Sequence, residues 1–161
     1  MKKANQIFLF ISTICWGCLI GGIIYSHIAF MPSFLTHLPD SSIMVNGPYP
    51  VNDEIFWKTI HPITMLSTLI ALALNWKFKF HRNYILIATV IYVLALIATF
   101  TYFVPELIEF SKSNQSSVSA DEWLARGDKW QHLSWIRGTF MTLGYVMLLI
   151  ALSKTDSKEQ Q

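Results

Sequence analysis

Four long apolar runs separated by shorter polar stretches set the pattern of this chain. The first is the cleanest: no Asp, Glu, Lys or Arg occurs from Ala4 to Pro39, and one bilayer crossing needs only ~20 apolar residues. It predicts a helix over about residues 7–30, with the chain leaving the bilayer at Met31-Pro32. The second run predicts a helix from Glu54 to Trp76, with Asp53 placed to cap it. Inside it Pro62 follows His61, removes a backbone hydrogen bond and predicts a kink. The third run predicts a helix from Tyr84 to Val104, ended by Pro105. The fourth predicts one from His132 to Leu152.

The polar stretches read as connections. Residues 33–53 carry two turn signals, Leu38-Pro39-Asp40 and Asn46-Gly47-Pro48, in a segment long enough to act as a lid. Lys77, Lys79 and Arg82 mark a short basic turn. Residues 111–120 form a Ser-rich linker, and Asp121 to Gln131 an amphipathic lead-in to the last helix. Residues 153–161 form a polar tail, expected to be disordered. The pattern therefore predicts a single all-α membrane domain, a bundle of four transmembrane helices.

Composition agrees with that class. The chain is 53% hydrophobic and 14% charged, against ~25% charged in soluble domains, and its mean hydropathy is +0.41. A net charge of +2 gives no reason to expect nucleic acid. The charged start resembles a signal peptide, but the apolar run far exceeds the ~7–15 residues of a signal core, so it is read as a retained first span. Lys2 and Lys3, the 77–82 turn, and Lys154 with Lys158 fall on one side, which the positive-inside rule makes cytoplasmic, along with both termini. The expected location is the inner membrane of a bacterial cell. The expected partners are the lipid bilayer, a lipophilic small molecule and a second copy of the chain.

This topology brings chemistry-bearing residues to one depth at the outer side. His27 ends the first span, His61 begins the second, Glu106 follows the third, and His132 and Arg137 begin the fourth. Ionisable residues within spans are costly and usually face the bundle interior. Bundle cores build metal sites from inward residues of facing helices. His27, His61, His132 and Glu106 are therefore a candidate ligand set for copper, iron or zinc. Alternatively His132 serves as a base, because an imidazole titrates near neutral pH, while Arg137 holds an oxyanion. Paired histidines would also suit a haem. Each residue has a plainer reading as an interfacial side chain, and Trp130 and Trp135 fit an aromatic belt as well as a cofactor wall. His132 and Arg137 diverge by roughly 140° around an α-helix, so one cavity holds both only if it wraps the helix. Cys15 and Cys18 form a C-x-x-C at mid-bilayer, read as small residues at a helix contact rather than a redox pair. Gly17, Gly21 and Gly22 read the same way.

Phe30-Met31-Pro32 after a glycine-rich span, Val104-Pro105, and Arg126, Trp130 and Arg137 in the spacing R-x-x-x-W-x-x-x-x-x-x-R resemble the anthrone-oxygenase-like family of small four-helix membrane proteins. The resemblance implies oxidation of a lipophilic aromatic or quinone-like substrate with dioxygen, and it singles out Trp130, His132 and Arg137. Two other classes stay open on the residues alone: a haem-binding electron-transfer protein, and a non-enzymatic accessory or ligand-binding membrane protein.

Overall fold

The computed structural model describes residues 3–154. Four long helices account for most of it: α1 Lys3–Leu35, α2 Glu54–Leu74, α3 Lys79–Ser111 and α4 Ala120–Ser153, each long and apolar enough to cross a membrane. No strand occurs among the described residues. The helices run up and down, each packed on the next, and α4 closes back on α1. Outward faces carry Phe10, Ile14, Leu66, Leu94, Ile97 and Phe140, all 45% exposed or more. That much contiguous apolar surface suits lipid and not water. Lys2, Lys158 and all but the start of the polar tail lie outside the described residues.

Three helices are longer than the apolar runs suggest, for identifiable reasons. Neither Pro32 nor Pro105 ends its helix. Each follows a wide π turn, Ser26–Phe30 in α1 and Thr99–Phe103 in α3. There the N–H of Met31 donates to the carbonyl of Ser26, and that of Val104 to Thr99, five residues back. The slipped register absorbs the missing proline donor, and the helices continue to Leu35 and Ser111. The lead-in before His132 is not a separate element either. α4 starts at Ala120, because the Ser119 hydroxyl accepts the N–H of Glu122 at 3.2 Å, half of a capping box. The Ser-rich linker shrinks to residues 112–119. Asp53 does occupy the cap position of α2, but its carboxylate takes the indole N–H of Trp57 at 2.9 Å instead of a backbone donor. α2 runs on through Pro62.

Two cores stack along the bundle. One joins Trp16, Leu19, Tyr92, Met141 and Leu148 at the level of the spans. A hydroxyl chain ties α1 to α2 within it: Trp16 Nε1 donates to Thr68 Oγ1 at 2.9 Å, and Ser12 Oγ lies 2.9 Å from the same oxygen. The second core gathers Phe34, Leu35, Leu38, Phe110, Trp123 and Trp130 at the end bearing the 36–53 loop. That loop is docked, not free: Ser41 donates to the Phe34 carbonyl and Asn46 to that of Ser111. Of the three glycines in α1, Gly17 meets Tyr145 and Gly22 meets Phe56, whereas Gly21 faces open space. Cys15 is half-buried and Cys18 is exposed, so Cys18 is not part of a buried helix contact.

The opposite end is clasped by polar groups. Asn5 donates to the Leu74 carbonyl at 2.9 Å and Asn75 to that of Asn5 at 3.3 Å. His81 is fully buried there. Its Nε2 lies 3.1 Å from the Lys154 carbonyl.

Candidate functional site

The two π turns face α4 between the two cores, and a polar cluster forms where the three helices meet. His27 belongs to the π turn of α1 and is buried. Its Nδ1 lies 2.8 Å from the Ile23 carbonyl and its Nε2 lies 2.8 Å from Ser134 Oγ. A carbonyl only accepts, so Nδ1 carries the hydrogen and Nε2 is left as an acceptor. Ser134 must then donate to Nε2. The same Ser134 oxygen accepts from Arg137 Nη2 at 2.9 Å, and Arg137 Nη1 donates to Thr99 Oγ1 at 2.8 Å. The direction of every bond is thus set: guanidinium to serine, serine to imidazole, imidazole to backbone.

The backbone of the π turns completes the arrangement. The His27 carbonyl has lost its usual donors, since the Met31 N–H goes to Ser26 and Pro32 has none. Gln131 Nε2 supplies a substitute at 3.2 Å. Next to it, Trp130 Nε1 donates to the Phe103 carbonyl at 3.1 Å, at the end of the other π turn. Two consecutive residues of α4 therefore bind both distorted helices.

Aromatic rings border the cluster, Trp130 buried and Trp135 exposed. Trp130 stacks on His27 with centroids 6.1 Å apart, and Trp135 meets it edge-on at 5.0 Å. The Arg137 guanidinium lies 3.9 Å from the centre of the Phe103 ring, a cation–π distance. No carboxylate among the described residues pairs with Arg137. A cation withdrawn from water is normally matched by an anion, and here the half-buried guanidinium has neutral hydroxyls and a ring as its protein partners.

Of the residues picked out by sequence, His27, Trp130, Trp135 and Arg137 converge. His61 lies on the next helix, within electrostatic reach of Arg137. Its Nδ1 is 2.8 Å from the Tyr92 hydroxyl. His132 does not join them. Its side chain is exposed and its Nδ1 rests on the Asp128 carbonyl of its own helix at 2.8 Å. The cause is helical phase: Arg137 points inward, so a residue five positions earlier points out. Glu106 is also elsewhere, paired with Arg126 at 2.9 Å. The four-residue metal set therefore does not assemble, and among the described residues no three His, Cys, Asp or Glu side chains converge.

The pair of Arg126 and Glu106 fixes α4 to α3 above the cluster, with the guanidinium 4.5 Å from the centre of the Trp123 ring. Both side chains are about a quarter exposed, so solvent screens the pair. Glu106→Gln is expected to lower stability by no more than about 1 kcal/mol, read as a small shift in thermal denaturation in detergent.

Ser134, Thr99 and Gln131 join the cluster and are hidden by the apolar pattern. Comparison of the chain with protein-family models, curated proteins and solved structures finds no match in any of the three.

Proposed function

We propose that the protein is an integral membrane oxidoreductase, oxygenase-like in type, acting on a lipophilic aromatic or quinone-like molecule. The observation that carries this reading is Arg137: a half-buried guanidinium with no carboxylate partner among the described residues, joined through Ser134 to an imidazole whose acceptor nitrogen faces that serine. Such a pair suits a substrate that becomes an anion when it loses a proton. The guanidinium stabilises the oxygen on which charge develops. The proton passes by way of Ser134 Oγ to His27 Nε2. Dioxygen then takes the electrons. For a methylene between aromatic rings, the carbon gives up both hydrogens and gains one oxygen atom of dioxygen, becoming a carbonyl. The second oxygen atom leaves with the two hydrogens as water, so the dioxygen is fully reduced. His27 takes the role of base that the sequence pattern offers to His132.

The resemblance of Arg126, Trp130 and Arg137 to anthrone-oxygenase-like proteins supports the same chemistry. The distribution of Lys3, the 77–82 turn and Lys154 supports cytoplasmic termini and a site toward the outer leaflet of a bacterial inner membrane. A haem held by His27 Nε2 would have to displace that nitrogen's contact with Ser134, and that makes the electron-transfer alternative the weaker reading.

Oxygen uptake by the purified protein in lipid nanodiscs, with anthrone as substrate and the protein-free rate subtracted, tests the proposal. His27→Ala should remove most of the protein-dependent rate, and His132→Ala should leave it within about twofold, since catalytic bases contribute roughly 10²–10⁴-fold. Wild-type protein with no uptake above the blank refutes the proposed reaction. Loss on His132→Ala with retention on His27→Ala refutes the assignment of the base.

A further inference from the structure

A cleft of about 560 Å³ opens between α1, α2 and the 36–53 loop, on a face of α1 that does not include His27. Its volume falls within the ~300–1,000 Å³ of small-molecule sites. Its floor is made by two adjacent glycines with opposite surroundings. A Cβ on Gly22 would lie 2.5 Å from the Phe56 ring, so that ring lies flush against the helix. A Cβ on Gly21 would meet nothing within 4 Å. Glycine at position 21 therefore serves no helix contact, although it costs an α-helix ~1 kcal/mol relative to alanine. It keeps the floor of the cleft open.

The walls define what fits. Phe56 and Trp57 face the glycines, Tyr25 and Phe30 extend the aromatic lining along α1, and Asp53 lies at the loop side. Asp53 has one carboxylate oxygen on Trp57 Nε1 and no Lys, Arg or His partner among the described residues. Its other oxygen offers an acceptor at the rim of a mostly apolar space. We infer that this cleft is a binding site for a flat aromatic lipophile bearing a hydroxyl, its rings over Gly21 beside the Phe56 ring and its O–H donated to Asp53. Flat rings use the open floor and the aromatic walls, and the donor answers the carboxylate. The inference does not depend on the oxidation chemistry, because Arg137 and His27 take no part in the cleft.

Cys18 lines the cleft and is exposed, so it reports occupancy. In a Cys15→Ser background, labelling of Cys18 by N-ethylmaleimide is followed by mass spectrometry in nanodiscs. The probes are 2-naphthol, naphthalene and palmitate. 2-Naphthol is expected to slow labelling at least threefold, and naphthalene less at equal concentration. Asp53→Asn should bring 2-naphthol down to the naphthalene level. Gly21→Phe, which fills the floor, should slow labelling without ligand and abolish the response to 2-naphthol. Gly21→Ala should keep that response and guards against misfolding of the larger variant. Arg137→Gln should leave every one of these responses unchanged. No protection by 2-naphthol overturns the inference. Equal or better protection by palmitate also overturns it and identifies a groove for acyl chains.

Discussion

Arg137→Gln protein is expected to fold normally and to lose the oxygen-dependent oxidation of anthrone by about 10²–10³-fold, the loss typical of removing one oxyanion donor. The fold should survive because nothing is stranded. No carboxylate among the described residues depends on Arg137, so its removal leaves no uncompensated buried anion. Thr99 keeps its bond to the Ala95 carbonyl at 2.7 Å and Ser134 keeps His27. Loss of one half of a buried ion pair behaves differently and costs several kcal/mol. Arg137→Lys should not rescue activity, since a single ammonium cannot span Thr99 and Ser134 as the planar fork does. Parallel thermal denaturation and oxygen uptake separate the two effects. An activity of Arg137→Gln within threefold of wild type would remove the guanidinium from the proposed chemistry. A large fall in melting temperature would instead show that the charge supports the bundle.

The second large effect concerns packing. Gly144→Ala should destabilise the protein by about 1–3 kcal/mol, the usual cost of overfilling a packed core. A Cβ at Gly144 would lie 2.8 Å from the six-membered ring of Trp16 and 3.4 Å from Ile91. Trp16 cannot retreat, because it is fully buried and its indole N–H is tied to Thr68. Gly21→Ala is the matched control, with the same change, also within a helix, but into empty space. It should hold or raise the melting temperature. Equal effects at the two positions would mean that helix propensity, not the approach of α4 to α1, governs both.

The bundle is legible in the sequence because its signal is coarse: apolar runs of the right length separated by polar stretches. Helix ends are less legible. Pro32 and Pro105 read as terminators, and only the π turns before them let the helices continue. Both prolines do share a pattern in which a hydroxyl residue six positions earlier, Ser26 or Thr99, opens the widened turn. The start of α4 is marked by Ser119 and Glu122, a capping-box spacing that a Ser-rich stretch conceals. In the site, His27, Trp130, Trp135 and Arg137 can be found because charged and aromatic residues are conspicuous in apolar runs. Ser134, Thr99 and Gln131 cannot, since hydroxyls and amides in membrane helices usually bond their own backbone or a neighbouring helix. His132 stands out for its residue type alone, and helical phase turns it outward.

The unequal lengths of the helices have a consequence for measurement. α2 has 21 residues, whereas α1 and α3 have 33 and α4 has 34, so α2 is about 18 Å shorter than α1 at 1.5 Å per residue. The cleft opens where α2 stops short and the 36–53 loop takes over. Under the proposed membrane placement and ligand class, that mouth would open sideways to lipid, and a ligand dissolved there would reach it without crossing water. Its governing concentration is then moles per mole of lipid. Adding empty lipid at constant total ligand should raise the apparent dissociation constant in proportion, and titrations compared across preparations need to be expressed as mole fractions.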